Sequence, residues 1–112
     1  MKANLGYFTI PVADVARGQK FYGGLFDWHF AGGADDRYAH VDNTDPPGGL
    51  HKAEPSVPQV WFRIDDIQAG VKRVRELGGH AEEPSQSPSG WSSACRDDQG
   101  SQFNLWQPAA GY

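Results

Sequence analysis

Laying Val12 over Ile64 aligns the chain with itself, bringing Phe8 onto Val60, Ile10 onto Phe62, Asp14 onto Asp66 and Val15 onto Ile67. Further on, Gly18 meets Gly70, Lys20 meets Lys72, Tyr22 meets Val74 and Leu25 meets Leu77. Few residues are identical, but the apolar positions and the Asp-apolar step coincide throughout. A chain written this way is two copies of one supersecondary unit. The expected division is one copy over residues 5–52, a linker over 53–58 (AEPSVP) and a second copy over 59–108. At 112 residues both copies belong to a single domain, 1–112.

Each copy opens with a period-two strand. Phe8, Ile10 and Val12 face one way and Tyr7 and Thr9 the other; Val60, Phe62 and Ile64 oppose Gln59, Trp61 and Arg63. An Asp then caps a helix, Asp14 before 15–25 and Asp65 or Asp66 before 67–77. Val15, Phe21, Tyr22 and Leu25 are expected on the buried face of the first helix, and Ile67, Val71, Val74 and Leu77 on that of the second. Gly78-Gly79 stops the second helix, while Gly23-Gly24 should loosen the end of the first. Short strands follow at 28–30, 38–41 and 48–52, then at 80–83, 91–96 and 102–106. The connectors Gly32-Gly33, 43–47 and 85–90 are rich in turn residues. The pattern is βαβββ twice, an α+β fold.

Composition narrows the function. A hydrophobic share of 38% with 12% aromatics supports a core. A formal net charge of −4, with no basic cluster, argues against nucleic acid. The one cysteine, Cys95, allows no internal disulfide and no multi-cysteine zinc site. No stretch has the apolar length of a membrane span or a signal peptide, so the expected location is cytoplasmic, away from membranes.

The opening FTIPVADVARGQKFYGGLFDW, the central VWFRIDDIQAGVKRVRELGG and the closing RDDQGSQFNLWQP, in that order on two βαβββ units, resemble the vicinal oxygen chelate superfamily. That superfamily includes glyoxalase I, bleomycin and fosfomycin resistance proteins and extradiol dioxygenases. The resemblance implies a cup-shaped mixed sheet with the helices on its convex face and the site on the concave face. It also implies a homodimer, since metal-free members bind ligands in clefts at a dimer interface. Four metal-ligand places are implied, at the start of the first strand and the middle of the last strand of each unit. Here they fall on Tyr7, Gly49, Gln59 and Asn104.

Where catalytic members carry His and Glu, this chain has a phenol, no side chain and two neutral amides. Neutral amides offset none of a divalent ion's charge, and a phenol ligates well only when ionised, against a reference pKa near 10. No cofactor is therefore expected. A divalent metal remains a minor alternative, built on His40 and His51.

Alternation gives the expected lining. The opening strands supply Tyr7, Thr9, Gln59, Trp61 and Arg63, and the closing strands Gly49, His51, Gln102, Asn104 and Trp106, with Trp91, Ser93 and Cys95 as further candidates. Such a surface suits a planar ligand held by stacking and hydrogen bonds, with Arg63 as a clamp for a carboxylate or phosphate. Three readings follow. The first is a metal-independent small-molecule binding protein resembling the bleomycin resistance branch, sequestering an antibiotic or aromatic metabolite. The second is a glyoxalase-like lyase or isomerase with a non-standard metal site or acid/base work by His51 and Tyr7. The third is an interaction module without a small ligand.

Overall fold

The structure, a computed structural model, describes residues 1–32 and 35–112. Gly33 of the expected Gly32-Gly33 connector lies outside the described residues. The elements are β1 (Asn4–Val12), α1 (Val15–Phe26), β2 (Phe30–Ala31), β3 (Tyr38–Val41), β4 (Gly48–Lys52), β5 (Gln59–Arg63), α2 (Ile67–Glu76), β6 (His80–Ala81), β7 (Ser85–Ser87), β8 (Gly90–Arg96) and β9 (Gln102–Pro108). They form two compact units. One is Tyr7–Gln59; the other is Val60–Tyr112 together with Met1–Gly6.

In the Tyr7–Gln59 unit the strand order is β2-β3-β4-β1, with β1 parallel to β4 and the other pairs antiparallel. Ile10 and Val12 of β1 pack with Phe30 and Tyr22 around buried Val15, Ala39 and Leu50. Leu50 has no exposed surface, and burial on that scale contributes about 1.5–3 kcal/mol. Asp14 is extended (φ −135°) and its carboxylate accepts from Arg17 N at 3.1 Å, which starts α1. Gly18 lets the helix come close to the sheet, because a Cβ there would lie 3.0 Å from Leu50 Cδ1.

That contact decides which face of α1 is buried. Val15, Gly18 and Tyr22 turn inward, and Phe21 and Leu25, expected with them, are 62% and 58% exposed. The end of α1 is also tighter than Gly23-Gly24 suggest. The helix runs on to Phe26 and stops at Asp27, whose φ is 57°. Asn43 holds that end, donating to Asp27 O at 2.9 Å and accepting from His29 N at 2.8 Å.

In the other unit the order is β5-β9-β8-β6, with β5 parallel to β9, the rest antiparallel, and β7 paired to β8. Its core gathers Ile64, Ile67, Val71, Ala81, Cys95 and Leu105. Asp66, rather than Asp65, caps α2, accepting from Ala69 N at 3.1 Å. Gln107 of β9 adds a second cap, its Oε1 accepting from Ile67 N at 2.8 Å. Gly70 repeats the role of Gly18, a Cβ there falling 2.5 Å from Ile64 Cδ1. The helix ends at a left-handed Gly78 (φ 91°), with Gly78 N donating to Arg75 O and Gly79 N to Val74 O. Leu77, expected on the buried face, is the C-cap residue and is 62% exposed.

β7 lies where only a turn-rich connector was expected. It pairs Ser85 with Ser92 and Ser87 with Gly90, and all three of its residues are exposed. A hairpin strand without a buried face carries no apolar alternation, so its sequence is silent.

Candidate functional site

In the Tyr7–Gln59 unit, register sets which side chains share the face opposite the helix. Thr9 of β1 pairs with Gly49 of β4, which pairs with His40 of β3; Pro11 pairs with His51, and His51 with Tyr38. Tyr7 joins this face by alternation. Tyr7, Thr9, His40, Gly49 and His51 are thus brought together, along with Tyr38, which the expected lining omits.

Tyr38 is the signal that was missed. Gly49 has no side chain, and a Cβ there would fall on the Tyr38 hydroxyl and ring carbon. The phenol of the neighbouring strand therefore fills the space the glycine leaves. The Tyr7 hydroxyl is hydrogen-bonded to the Tyr38 hydroxyl and lies 3.1 Å from His40 Nδ1. The Tyr7 and His40 rings are stacked, 6.1 Å apart and 8° from parallel. Burial pushes the Tyr7 pKa up to about 12, so its phenol keeps its proton at neutral pH. The strand Tyr38-Ala39-His40-Val41 held the clue, since alternation puts Tyr38 on the same side as His40.

Two other members of this face each carry a side-chain atom without a hydrogen bond among the described residues. Thr9 is 6% exposed, and its Oγ1 is buried without a hydrogen bond, as is His51 Nδ1.

In the other unit, Trp61 pairs with Asn104 and Arg63 with Trp106, so these four share one face. The Asn104 amide is occupied in part by the main chain, Nδ2 donating to Val60 O at 3.1 Å. Trp106 is held by its Nε1, which donates to Ser89 O at 3.0 Å. The Arg63 guanidinium lies over the Trp106 ring, 5.7 Å from its centroid, and Nη2 donates to Tyr112 O at 3.1 Å. The cation is thus presented on an aromatic platform. Gln59, at the start of β5, is exposed.

Trp91, Ser93 and Cys95 take the opposite face. In β8 the partners of Trp106 and Asn104 are Ser92 and Ala94, so Trp91, Ser93 and Cys95 turn to the helix. Trp91 packs against the core, Ser93 Oγ donates to Glu82 O at 2.6 Å, and Cys95 is 3% exposed. Burial raises the thiol pKa above its ordinary value, which disfavours the reactive thiolate.

The side chains at the four implied ligand places do not suit a divalent cation. Tyr7 is a protonated phenol already hydrogen-bonded, Gly49 is covered by Tyr38, and Asn104 is neutral and donates to a carbonyl. His40 bonds Tyr7. Among the described residues no three His, Cys, Asp or Glu side chains converge as metal ligands.

The signature of the glyoxalase-like domain matches residues 7–106. No curated protein matches the chain. Among solved structures, a hypothetical protein from Bacillus halodurans C-125 superposes with a TM-score of 0.79 at 14% identity, covering 100% of this chain and 99% of that one. Methylmalonyl-CoA epimerase from Mycobacterium tuberculosis gives 0.70 at 20% identity, over 94% of this chain and 87% of the other. An extradiol ring-cleaving dioxygenase from B. fuscum gives 0.74 at 16% identity, over 95% of this chain and 32% of that chain. Identities this low carry the fold and not the chemistry. With its signature spanning all but the ends, and with two β-α-β units, the second carrying β7 as an extra hairpin strand, the chain belongs to the glyoxalase-like domain family.

Proposed function

We propose that this protein is a metal-independent small-molecule binding protein of its family, taking up an antibiotic or an aromatic metabolite. The observation that carries this reading is the Tyr38 hydroxyl over Gly49, hydrogen-bonded to a protonated Tyr7. A place that holds a metal ligand in catalytic relatives here offers neutral hydroxyls, suited to hydrogen-bonding a ligand. Within the other unit, Trp106 under Arg63 is a stacking and anion-binding element of its own.

Isothermal titration against glycopeptide and aromatic antibiotics tests the reading, alongside elemental analysis of the purified protein. Binding to a panel member with no stoichiometric metal supports it. Failure of the whole panel, together with stabilisation by a divalent cation, overturns it.

A lyase or isomerase is the second reading, favoured by one contact, that of Tyr7 with His40 Nδ1. A hydroxyl bonded to an imidazole is an acid/base pair in waiting, and one structural neighbour is by its description an epimerase. Turnover lost in both Tyr7→Phe and His40→Ala would favour this reading. A homodimer and a cytoplasmic location complete the proposal. No helix among the described residues is long and apolar enough to cross a membrane.

A further inference from the structure

The polar face of the Tyr7–Gln59 unit holds more hydrogen-bonding capacity than it uses. Among the described residues, Thr9 Oγ1 and His51 Nδ1 are out of water and without hydrogen-bond partners. Both side chains share a face with Tyr7, Tyr38 and His40. Nearly all buried polar atoms in folded proteins are paired, because an unpaired one has lost water and gained nothing. Two orphans on one face, beside a glycine whose space the Tyr38 phenol fills, mark a place that a ligand group completes.

The hydrogens of the Tyr38–Tyr7–His40 chain say what kind of group. Two phenolic hydrogens and one imidazole nitrogen share two contacts. When Nδ1 of His40 is bare, Tyr7 donates to it and Tyr38 donates to Tyr7, leaving Tyr38 only lone pairs to offer. When Nδ1 carries a hydrogen, His40 donates to Tyr7 and Tyr7 to Tyr38, and the Tyr38 hydrogen is released for another acceptor. A tautomeric exchange in neutral His40 therefore turns Tyr38 from acceptor into donor with no change in net charge. Thr9 and His51 are likewise able to present an O–H and an N–H.

We propose that this face is a binding subsite for a carboxylate or carbonyl oxygen of a small ligand, received by Tyr38 with Thr9 and His51. His40 is the positioning residue that sets Tyr38 as the donor. The inference rests on the small-molecule reading above and assigns that reading its oxygen-binding end.

Benzoate and benzamide serve as probes, with benzylamine, which offers no acceptor oxygen, as the control. Side-chain nitrogen NMR on the intact protein reads the histidines directly. With either oxygen probe at millimolar concentration, the His40 and His51 signals move and His40 shifts towards the Nδ1–H tautomer, while benzylamine leaves them in place. Tyr38→Phe keeps the ring but removes the hydroxyl, and weakens oxygen-probe binding about tenfold, the worth of one hydrogen bond. Unchanged backbone spectra show that this variant is folded. Two results overturn the subsite. One is no response of His40 or His51 to either oxygen probe; the other is equal binding by wild type and Tyr38→Phe. Neither decides the broader binding reading, which the antibiotic titration settles on its own.

Discussion

Gly49 matters through what it lacks. A methyl group there would meet the Tyr38 phenol and lie 2.8 Å from Ala39 O. Gly49→Ala is expected to destabilise the fold by about 1–3 kcal/mol, as overpacking does. In a Tyr38→Ala background the loss should be smaller, because the phenol is gone and only the carbonyl remains. Urea unfolding of the two single variants and the double variant measures that coupling. Tyr7 supplies a second prediction. Its pKa is raised from 10.0 to about 12 by burial, so between those values the unfolded chain has lost a proton that the folded chain still holds. The unfolded state then binds fewer protons, and stability falls as pH rises through this window. Tyrosinate absorbance should show a late-titrating component that is missing from Tyr7→Phe, and base-induced unfolding should lose part of its pH dependence in the same variant. At this scale the sequence revealed positions better than partners. Tyr7, Thr9 and Asn104 lie on the expected faces by alternation alone. Asn104's bond to Val60 O and Tyr38's place over Gly49 depend on which strands are neighbours and in what register, and one sequence does not state that.

Elements were legible wherever their signal is local. Asp14 and Asp66 cap both helices, and the pairing of Gly18 with Gly70 in the internal repeat has a common cause, since each is where a helix meets its sheet. Asp66→Ala is expected to cost about 1 kcal/mol, read as a lowered urea midpoint, the usual loss for such a cap. The Gln107 contact keeps Ile67 N satisfied in that variant. The buried face of α1 was not legible. Apolar residues at 15, 21, 22 and 25 suggested one stripe, but the glycine contact with Leu50 rotates Phe21 and Leu25 outward. Phe21→Ser should therefore cost the monomer no more than about 1 kcal/mol, the worth of its edge contact with Tyr22. A loss of several times that would mean Phe21 is covered by something.

On the scale of the whole molecule, the doubled order was written in the sequence, all but β7, because apolar periodicity and helix caps repeat where identical residues do not. The allocation of the ends was not. β1 is one continuous strand, yet Met1–Gly6 clusters with Val60–Tyr112 and Tyr7 onward with the other unit. Gly6 lies against Arg63 Cβ and the Trp106 ring, and Met1 Sδ is 3.9 Å from the Cβ position of Gly70. A break in the 53–58 linker would therefore not divide the protein into its two units, because the first fragment carries six residues that belong with the second. Nicked there, the two pieces should stay together through purification, because the first carries six residues of the second's fold. Deleting residues 1–6 from the first piece should weaken that hold, which a pull-down of the nicked pair would read.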